Sequence, residues 1–231
     1  RRNLRRSLRE EAIPASIWQE GQRIFVETEQ VDPALDALRR VFGVTSVSPV
    51  IRVPAAVEAL EEAAVQMAHT AGIHPGSSFC IRASRSDKSF PLTSPEIGRV
   101  VGAAVVAATG AQVRFSPGLD LEIGVEVRHG FALLSGLTVP GPGGMPVGTG
   151  GRVVALLSTG IDSPVATWLM MKRGCTVIPV HFAKGDAQVA QLQALLDLLQ
   201  RYSAGWTLKP VILSHEQVLG PDLLRLQELH A

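Results

Sequence analysis

The stretch VVALLSTGIDSPVATWLMMKRG, Val153 to Gly174, runs from an apolar, β-branched strand through a Ser/Gly/Asp/Ser turn directly into an amphipathic helix. From there RVVALLS, SPVATWLMMKRG, CTVIPVHF, DAQVAQLQALLDLLQRY and WTLKPVILS alternate strand and helix. Continuously apolar strands in that order read as a parallel sheet with right-handed crossovers, so residues 152 to 231 are expected to form an α/β domain. Three strands and a closing amphipathic segment make only part of a doubly wound sheet. In such a sheet ligands gather beyond the carboxyl ends of the strands, where the first turn offers backbone N–H groups and the positive end of a helix. Gly160 permits close approach of a phosphate, the Ser158 and Ser163 hydroxyls add donors, and Pro164 fixes the first helical turn at no hydrogen-bond cost. The turn lacks the lysine of GxxxxGK[ST] and the spacing of GxGxxG, which argues against the common phosphate loop and a nicotinamide dinucleotide. Taken alone, SPVA is explained more simply by Asp162 or Ser163 capping the helix.

Working outward, PGPGGMPVGTGG holds six glycines and three prolines, and residues 141 to 151 read as a linker or an ordered loop. Residues 54 to 140 read as an α+β unit. It opens with the helix AAVEALEEAAVQMAHTA, followed by a strand in which Phe79, Ile81 and Ala83 alternate with Cys80, Arg82 and Ser84. A basic, serine-rich loop with Arg85 and Lys88 then leads to a helix expected to be capped by Ser94, with Pro95 at its first position, Glu96 near its positive end and Gly110 as its stop. LDLEIGVEVRHGFALLSGLTV reads as a hairpin turning at His129 and Gly130. Residues 1 to 53 begin inside a helix, continue through a strand at RIFVET to a helix from Pro33 to Val41 with Asp32 as its cap, and end on the strand GVTSVSPVIRV. That order makes part of a second α+β domain whose first strand is expected to be missing.

With 231 residues, 46% hydrophobic and 19% charged, the chain can bury a sizeable core. No apolar run reaches the roughly 20 residues a membrane span needs, and the first residues lack the apolar segment of a signal peptide, so a cytoplasmic protein is expected. Cys80 and Cys175 lie far apart, with no CxxC pair, and both read as small buried thiols rather than as a disulfide or zinc site. Net charge is only +1, but Arg1, Arg2, Arg5, Arg6 and Arg9 crowd the first ten residues, a local excess that fits phosphates or a solvated face.

LLSTGIDSPVA resembles the SGGxDS pyrophosphate-binding motif of the PP-loop ATP pyrophosphatases, which split ATP between the α- and β-phosphates to adenylate a substrate. With MKRG and VHF downstream, the resemblance narrows to the 4-thiouridine synthetase family of tRNA sulfurtransferases, also linked to thiazole formation in thiamine biosynthesis. SFCIRASRSDKSFPLTSPEIGRVVGAAVVAATG resembles that family's THUMP domain, GPGGMPVGT its segment before the ATP domain, and residues 1 to 53 its ferredoxin-like N-terminal domain. The resemblance spans essentially the whole chain, in the family's order, with the sheet of residues 152 to 231 corresponding to an adenine nucleotide alpha hydrolase-like fold. It implies ATP and Mg²⁺, with Ser158, Thr159, Gly160, Asp162 and Ser163 at the pyrophosphate and metal, and Leu156, Leu157, His181 and Phe182 bordering the nucleotide. It also implies tRNA as partner, with uridine 8 adenylated at O4 and then thiolated from a persulfide. Arg2, Arg5, Arg6 and Arg9 on the first helix and Arg82, Arg85, Lys88 and Arg99 in the THUMP-like unit are the candidate RNA contacts. A cysteine desulfurase-type sulfur donor is a further implied partner, a homodimer is compatible, and a membrane partner is not implied. The family's catalytic cysteine is expected beyond Ala231, so no catalytic residue is assigned in this chain.

Thr159 departs from the family motif, which has a second glycine there. If its backbone were left-handed, a β-branched residue would cost about 1 to 2 kcal/mol and weaken ATP binding; with negative φ its hydroxyl is free to donate to phosphate. The rival reading is a tRNA-binding module with a degenerate nucleotide site and no turnover.

Overall fold

A computed structural model of the protein describes residues 1–183 and 186–214, so the closing amphipathic segment lies outside the described residues. The chain divides into two compact units, residues 1–47 with residues from 140 onward, and residues 48–139.

The first unit contains α1 (Arg2–Glu10), β1 (Ser16–Glu20), β2 (Arg23–Glu27), α2 (Val31–Leu38) and the two-residue strand β3 (Ser46–Val47). Leu4 and Leu8 of α1 close over Ala34, Ala37 and Leu38 of α2, with the antiparallel β1–β2 hairpin adding Ile17 and Val26. The helix expected from Pro33 with Asp32 as its cap begins two residues earlier. The Thr28 hydroxyl accepts from the Gln30 N–H at 3.2 Å, and the Gln30 carbonyl accepts the first helical bond from Ala34. Asp32 therefore stands inside the first turn, where its charge still suits the helix dipole.

The second unit contains β4 (Ile51–Pro54), α3 (Val57–Thr70), β5 (Ser78–Arg85), α4 (Ser94–Thr109), β6 (Gln112–Val113), β7 (Leu121–Arg128), β8 (Phe131–Ser135) and the start of β9 (Val139–Pro140). Its sheet runs β4-β8-β7-β5-β6, with β7 and β8 forming the hairpin expected at His129 and Gly130. β4 straddles the boundary expected after residue 53 and pairs with β8. Apolar residues of α3 and α4, such as Leu60, Ile97 and Val101, pack with Phe79, Ile123 and Val125 of the sheet. Thr93, not Ser94, caps α4: its N–H and hydroxyl both donate to the Glu96 carboxylate, at 2.7 and 2.6 Å. The i, i+3 spacing to Glu96 selects Thr93, and those bonds hold the Glu96 carboxyl below the usual range. Gly110 ends the helix at φ 69°, as expected.

The rest of the first unit is the α/β part: β10 (Arg152–Leu156), α5 (Asp162–Lys172), β11 (Thr176–Ala183), α6 (Asp186–Gln200) and β12 (Val211–Ser214). The three strands are parallel in the order β10-β11-β12, as the apolar runs required. Leu157, Met171, Val177, Leu192 and Leu196 form its core together with Phe42, which packs edge-on against Trp168 at 5.1 Å. The glycine-rich segment is an ordered strap. Gly43 and Gly143 exchange bonds with residues 143 and 44, Met145 N–H donates to Lys172 O at 2.8 Å, and the N–H groups of Gly148 and Gly150 both donate to Gly174 O. Glycine is required at 144, where φ is +75° and a Cβ would run into the Lys172 carbonyl. The N-terminal helices and the α/β part thus share one unit, joined further by Gln200, whose side-chain amide donates to the Glu10 carboxylate at 2.9 Å, while the buried Arg40 guanidinium ties the N-terminal segment to itself through Asp36 and Glu11.

Candidate nucleotide site and RNA-facing surfaces

The turn between β10 and α5 closes on itself through two serines. Ser158 N–H donates to Ser163 Oγ at 2.8 Å, the two hydroxyls meet at 3.0 Å, and Gly160 N–H reaches Ser158 Oγ at 3.3 Å. Neither Asp162 nor Ser163 caps α5: no side-chain cap bond is made, and Asp162 is itself the first helical residue. The simpler explanation of SPVA therefore does not hold, and the first-turn N–H groups, which a helix cannot satisfy internally, face the turn. Asp162 and Gly160 are exposed. A Cβ added at Gly160 would meet only Ser158 Oγ, at 3.5 Å, so the glycine leaves open space above the turn.

Thr159 carries no left-handed strain. Among the described residues only Ala12 and Ala204 have positive φ without being glycine. The backbone cost anticipated for a β-branched residue does not arise, and its hydroxyl is compatible with a phosphate oxygen.

His181 lies on β11 beside the strand end. Its Nδ1 sits 2.7 Å from the Leu157 carbonyl, which fixes Nδ1–H as donor and leaves Nε2 as an acceptor. The ring is 4% exposed, and Nε2 has no hydrogen-bond partner among the described residues. A buried acceptor left open is costly, and it marks the place where a hydroxyl or amine of a ligand fits. Leu157 is buried below the turn, while Leu156 is 66% exposed and Phe182 half-buried. The donor set fits a nucleoside triphosphate with Mg²⁺: Asp162 would supply one carboxylate, and phosphate oxygens would complete such a site.

The candidate RNA contacts divide by what already holds them. On α1, Arg2, Arg5 and Arg9 are exposed, whereas the Arg6 guanidinium lies 4.5 Å over the Trp206 ring. In the second unit, Arg82 pairs with Glu122 at 2.7 Å, and that carboxylate raises its pKa above the ordinary arginine value. Arg85 is spent on structure, donating to Phe90 O at 2.8 Å, and Lys88 is exposed in the same loop. Arg82 and Arg99 flank a groove of about 890 Å³ between β5 and α4, floored by Gly98 and Gly102 and closed by Phe115. Phe115 is 74% exposed and was not singled out in the sequence. The alternation in QVRF, with Val113 and Phe115 on one face next to a Ser-Pro-Gly turn, is the signal that points to it.

Both cysteines are buried. Burial, reinforced by the Glu122 carboxylate, pushes the Cys80 thiol up, and Cys175 Sγ is held 3.4 Å from Gly150 O. Neither has the exposed, cation-lined setting of a reactive thiolate. No helix of the described residues is long and apolar enough to cross a membrane.

The sequence model described as thiamine biosynthesis protein (ThiI) matches residues 148–228, and that of the THUMP domain matches residues 54–136. A probable tRNA sulfurtransferase of Methanothermobacter thermautotrophicus is 39% identical over 191 residues, which is 79% of this chain and 49% of the relative. One from Thermus thermophilus is 46% identical over 169 residues, 71% of this chain and 41% of the relative. The chain thus spans about half the length of the curated relatives it matches. Among solved structures, PH1313 from Pyrococcus horikoshii superposes with a TM-score of 0.83 at 34% identity, over 97% of this chain and 73% of its own. A 4-thiouridine synthetase in complex with RNA and ATP does so with a TM-score of 0.81 at 26% identity, over 94% and 57%. The order of the two matched regions along the chain, the shared fold and the serine-closed turn at the head of the parallel sheet have one explanation: the chain belongs to the ThiI family of tRNA sulfurtransferases.

Proposed function

We propose that this chain carries the ATP-binding and RNA-binding parts of a tRNA sulfurtransferase that makes 4-thiouridine at position 8. The observation that carries the reading is the Ser158–Ser163 turn, closed on itself yet open above Gly160, with the Asp162 carboxylate exposed at its rim. The pyrophosphate of ATP sits against the turn, and its developing charge is met by N–H donors that need no rearrangement. Asp162 would hold Mg²⁺ together with the phosphates, and the ion would supply further charge neutralisation. His181 Nε2 accepts a hydrogen bond from the nucleoside. The uracil O4 attacks the α-phosphorus, the bond to the β-phosphate breaks, and pyrophosphate leaves; the outer sulfur of a cysteine persulfide then displaces AMP from C4, and a second thiol attacks the inner sulfur, breaking the S–S bond to form a disulfide and leaving the outer sulfur on C4. Arg2, Arg5, Arg9, Arg82, Arg99 and Lys88 hold the tRNA through its phosphates. The sulfur comes from a cysteine desulfurase-type donor, in a cytoplasmic setting, and the same sulfur chemistry extends to the thiamine thiazole.

A second reading is an RNA-binding module without turnover, favoured by the burial of both cysteines. Release of pyrophosphate from ATP, measured with and without tRNA on this chain and on a parent protein of the relatives' length, separates the two. The enzyme reading expects tRNA-stimulated release from the parent; tRNA binding with no release from either leaves the module.

A further inference from the structure

Strand β5 leaves part of one edge unpaired. Its parallel ladder with β7 runs unbroken from Phe79 to Arg85, and along such a strand successive residues turn their N–H and C=O groups to opposite sides. The even positions face β7: Ser78 O accepts from Asp120 N–H at 3.0 Å, and Ser86 N–H donates to Val127 O at 2.9 Å. The odd positions face the other edge, where Ser77 O and Phe79 O accept from the N–H groups of Gln112 and Arg114. β6 ends at Val113, so the N–H and C=O groups of Ile81 and Ala83 point out of the sheet and meet no backbone partner among the described residues. Ile81 is only 6% exposed, and unpaired backbone groups at a buried residue are costly.

The space beside this edge is the groove between β5 and α4. Gly98 and Gly102 bring the helix into contact with Ile81 and keep that wall free of side chains, while Val106, Val113 and Phe115 expose apolar surface along it. A bare strand edge beside an apolar groove specifies its occupant, because another extended backbone supplies donors and acceptors at the repeat of β5. The two faces of β5 then fix the side chains. Ile81 and Ala83 turn toward the core under α4, so alternate residues of an added strand fall against the glycines of α4 and must be apolar. The residues between them fall on the face of Arg82, with Arg99 exposed at the rim and the Glu96 carboxylate drawn into the Thr93 cap, so acidic residues suit those positions. RNA fits the groove less well, since its phosphates find cations only at the rim and its sugars and bases do not repeat at the spacing of a strand.

We propose that the β5–α4 groove is a docking site for an extended segment of a partner protein, with apolar and acidic residues alternating, that adds to β5 as an edge strand.

The probe is a labelled eight-residue peptide of alternating valine and glutamate, compared with two copies N-methylated at every valine or at every glutamate. The native chain is expected to bind the parent peptide saturably. One methylated copy loses at least tenfold, the value of one or two hydrogen bonds, and the other stays within about threefold. Loss with methylated valines means an antiparallel segment, and loss with methylated glutamates a parallel one. Ala83→Pro removes an edge N–H that no ladder bond uses and is expected to weaken the parent peptide about tenfold. Should that variant not fold, Ala103→Leu, at an exposed helical position in the groove wall, is expected to do the same by filling the groove. The parent peptide also slows amide exchange at Ile81 and Ala83 in the native chain. No saturable binding overturns the inference, as does equal binding of all three peptides. Slowed exchange at those two amides with a ten-nucleotide single-stranded RNA but not with the peptide overturns it in favour of RNA.

Discussion

Gly160 and Thr159 divide the work of the nucleotide turn. The space above Gly160 is where, in the proposed function, a phosphate oxygen approaches the backbone, and a methyl group placed there touches nothing but Ser158 Oγ. Gly160→Ala is therefore expected to leave the thermal transition unchanged while weakening ATP binding about tenfold, the loss of one hydrogen bond to a charged oxygen; a folded variant with native affinity would contradict this. Thr159→Gly, by contrast, relieves no strain, because Thr159 does not occupy the left-handed region. Its ATP affinity in the same titration is expected to stay within about twofold of native or to fall, since glycine adds only backbone freedom and removes a hydroxyl. At this scale the sequence was informative about chemistry and silent about conformation. The run STGIDSPVA offered residue types suited to a phosphate, but whether Thr159 was strained depended on a φ angle, and whether Ser163 capped the helix depended on which way its hydroxyl turned. The open Nε2 of His181 was likewise invisible until the Leu157 carbonyl was seen beside Nδ1.

Elements read from period and turn chemistry were recovered where those signals were local. The β10-α5-β11 order, the β7–β8 hairpin and the Gly110 stop all follow from patterns of a few residues. The α4 cap shifted by one residue because a capping box, not the nearest serine, sets a helix start. The strap at 141–151 was harder to read: its glycines suggest flexibility, whereas each close approach to a neighbouring carbonyl demands a residue without a Cβ. Gly144→Ala is expected to destabilise the first unit by about 1–3 kcal/mol, through both its positive φ and the clash with Lys172 O. All three tryptophans, Trp18, Trp168 and Trp206, belong to that unit, so indole fluorescence follows its unfolding without contribution from the other. The Asp36–Arg40 pair gives the same unit a pH dependence. Hydrogen bonding from Arg40 holds the Asp36 carboxyl below its ordinary value. A depressed folded pKa means the stabilisation is complete above the unfolded value, about 4, and is lost as pH falls through the lower folded one. Asp36→Asn should therefore be less stable than native near pH 7, with the difference shrinking as pH falls below the ordinary carboxylate range and through the depressed folded value; a difference that does not shrink in acid would show that Asp36 acts through something other than its charge.

At the scale of the molecule, the sequence placed a PP-loop-like sheet, a THUMP-like unit and an N-terminal α+β piece in order along the chain. What it could not show is that the N-terminal helices are built into the same compact unit as the nucleotide sheet. That union rests on contacts far apart in sequence: Asn3 Nδ2 donating to Val147 O at 3.0 Å, Arg6 over Trp206, and Gln200 Nε2 donating to Glu10 at 2.9 Å. No local period encodes such pairs. Its consequence is that the arginines of α1 and the β10–α5 turn are carried by one body. The central claim, that this turn is where ATP is held, is tested most directly by amide hydrogen exchange on the chain with and without ATP and Mg²⁺. The account predicts slowed exchange in the segment spanning Leu157 to Val165 and around His181. Unchanged exchange there at saturating ATP, or protection confined to other segments, would contradict it.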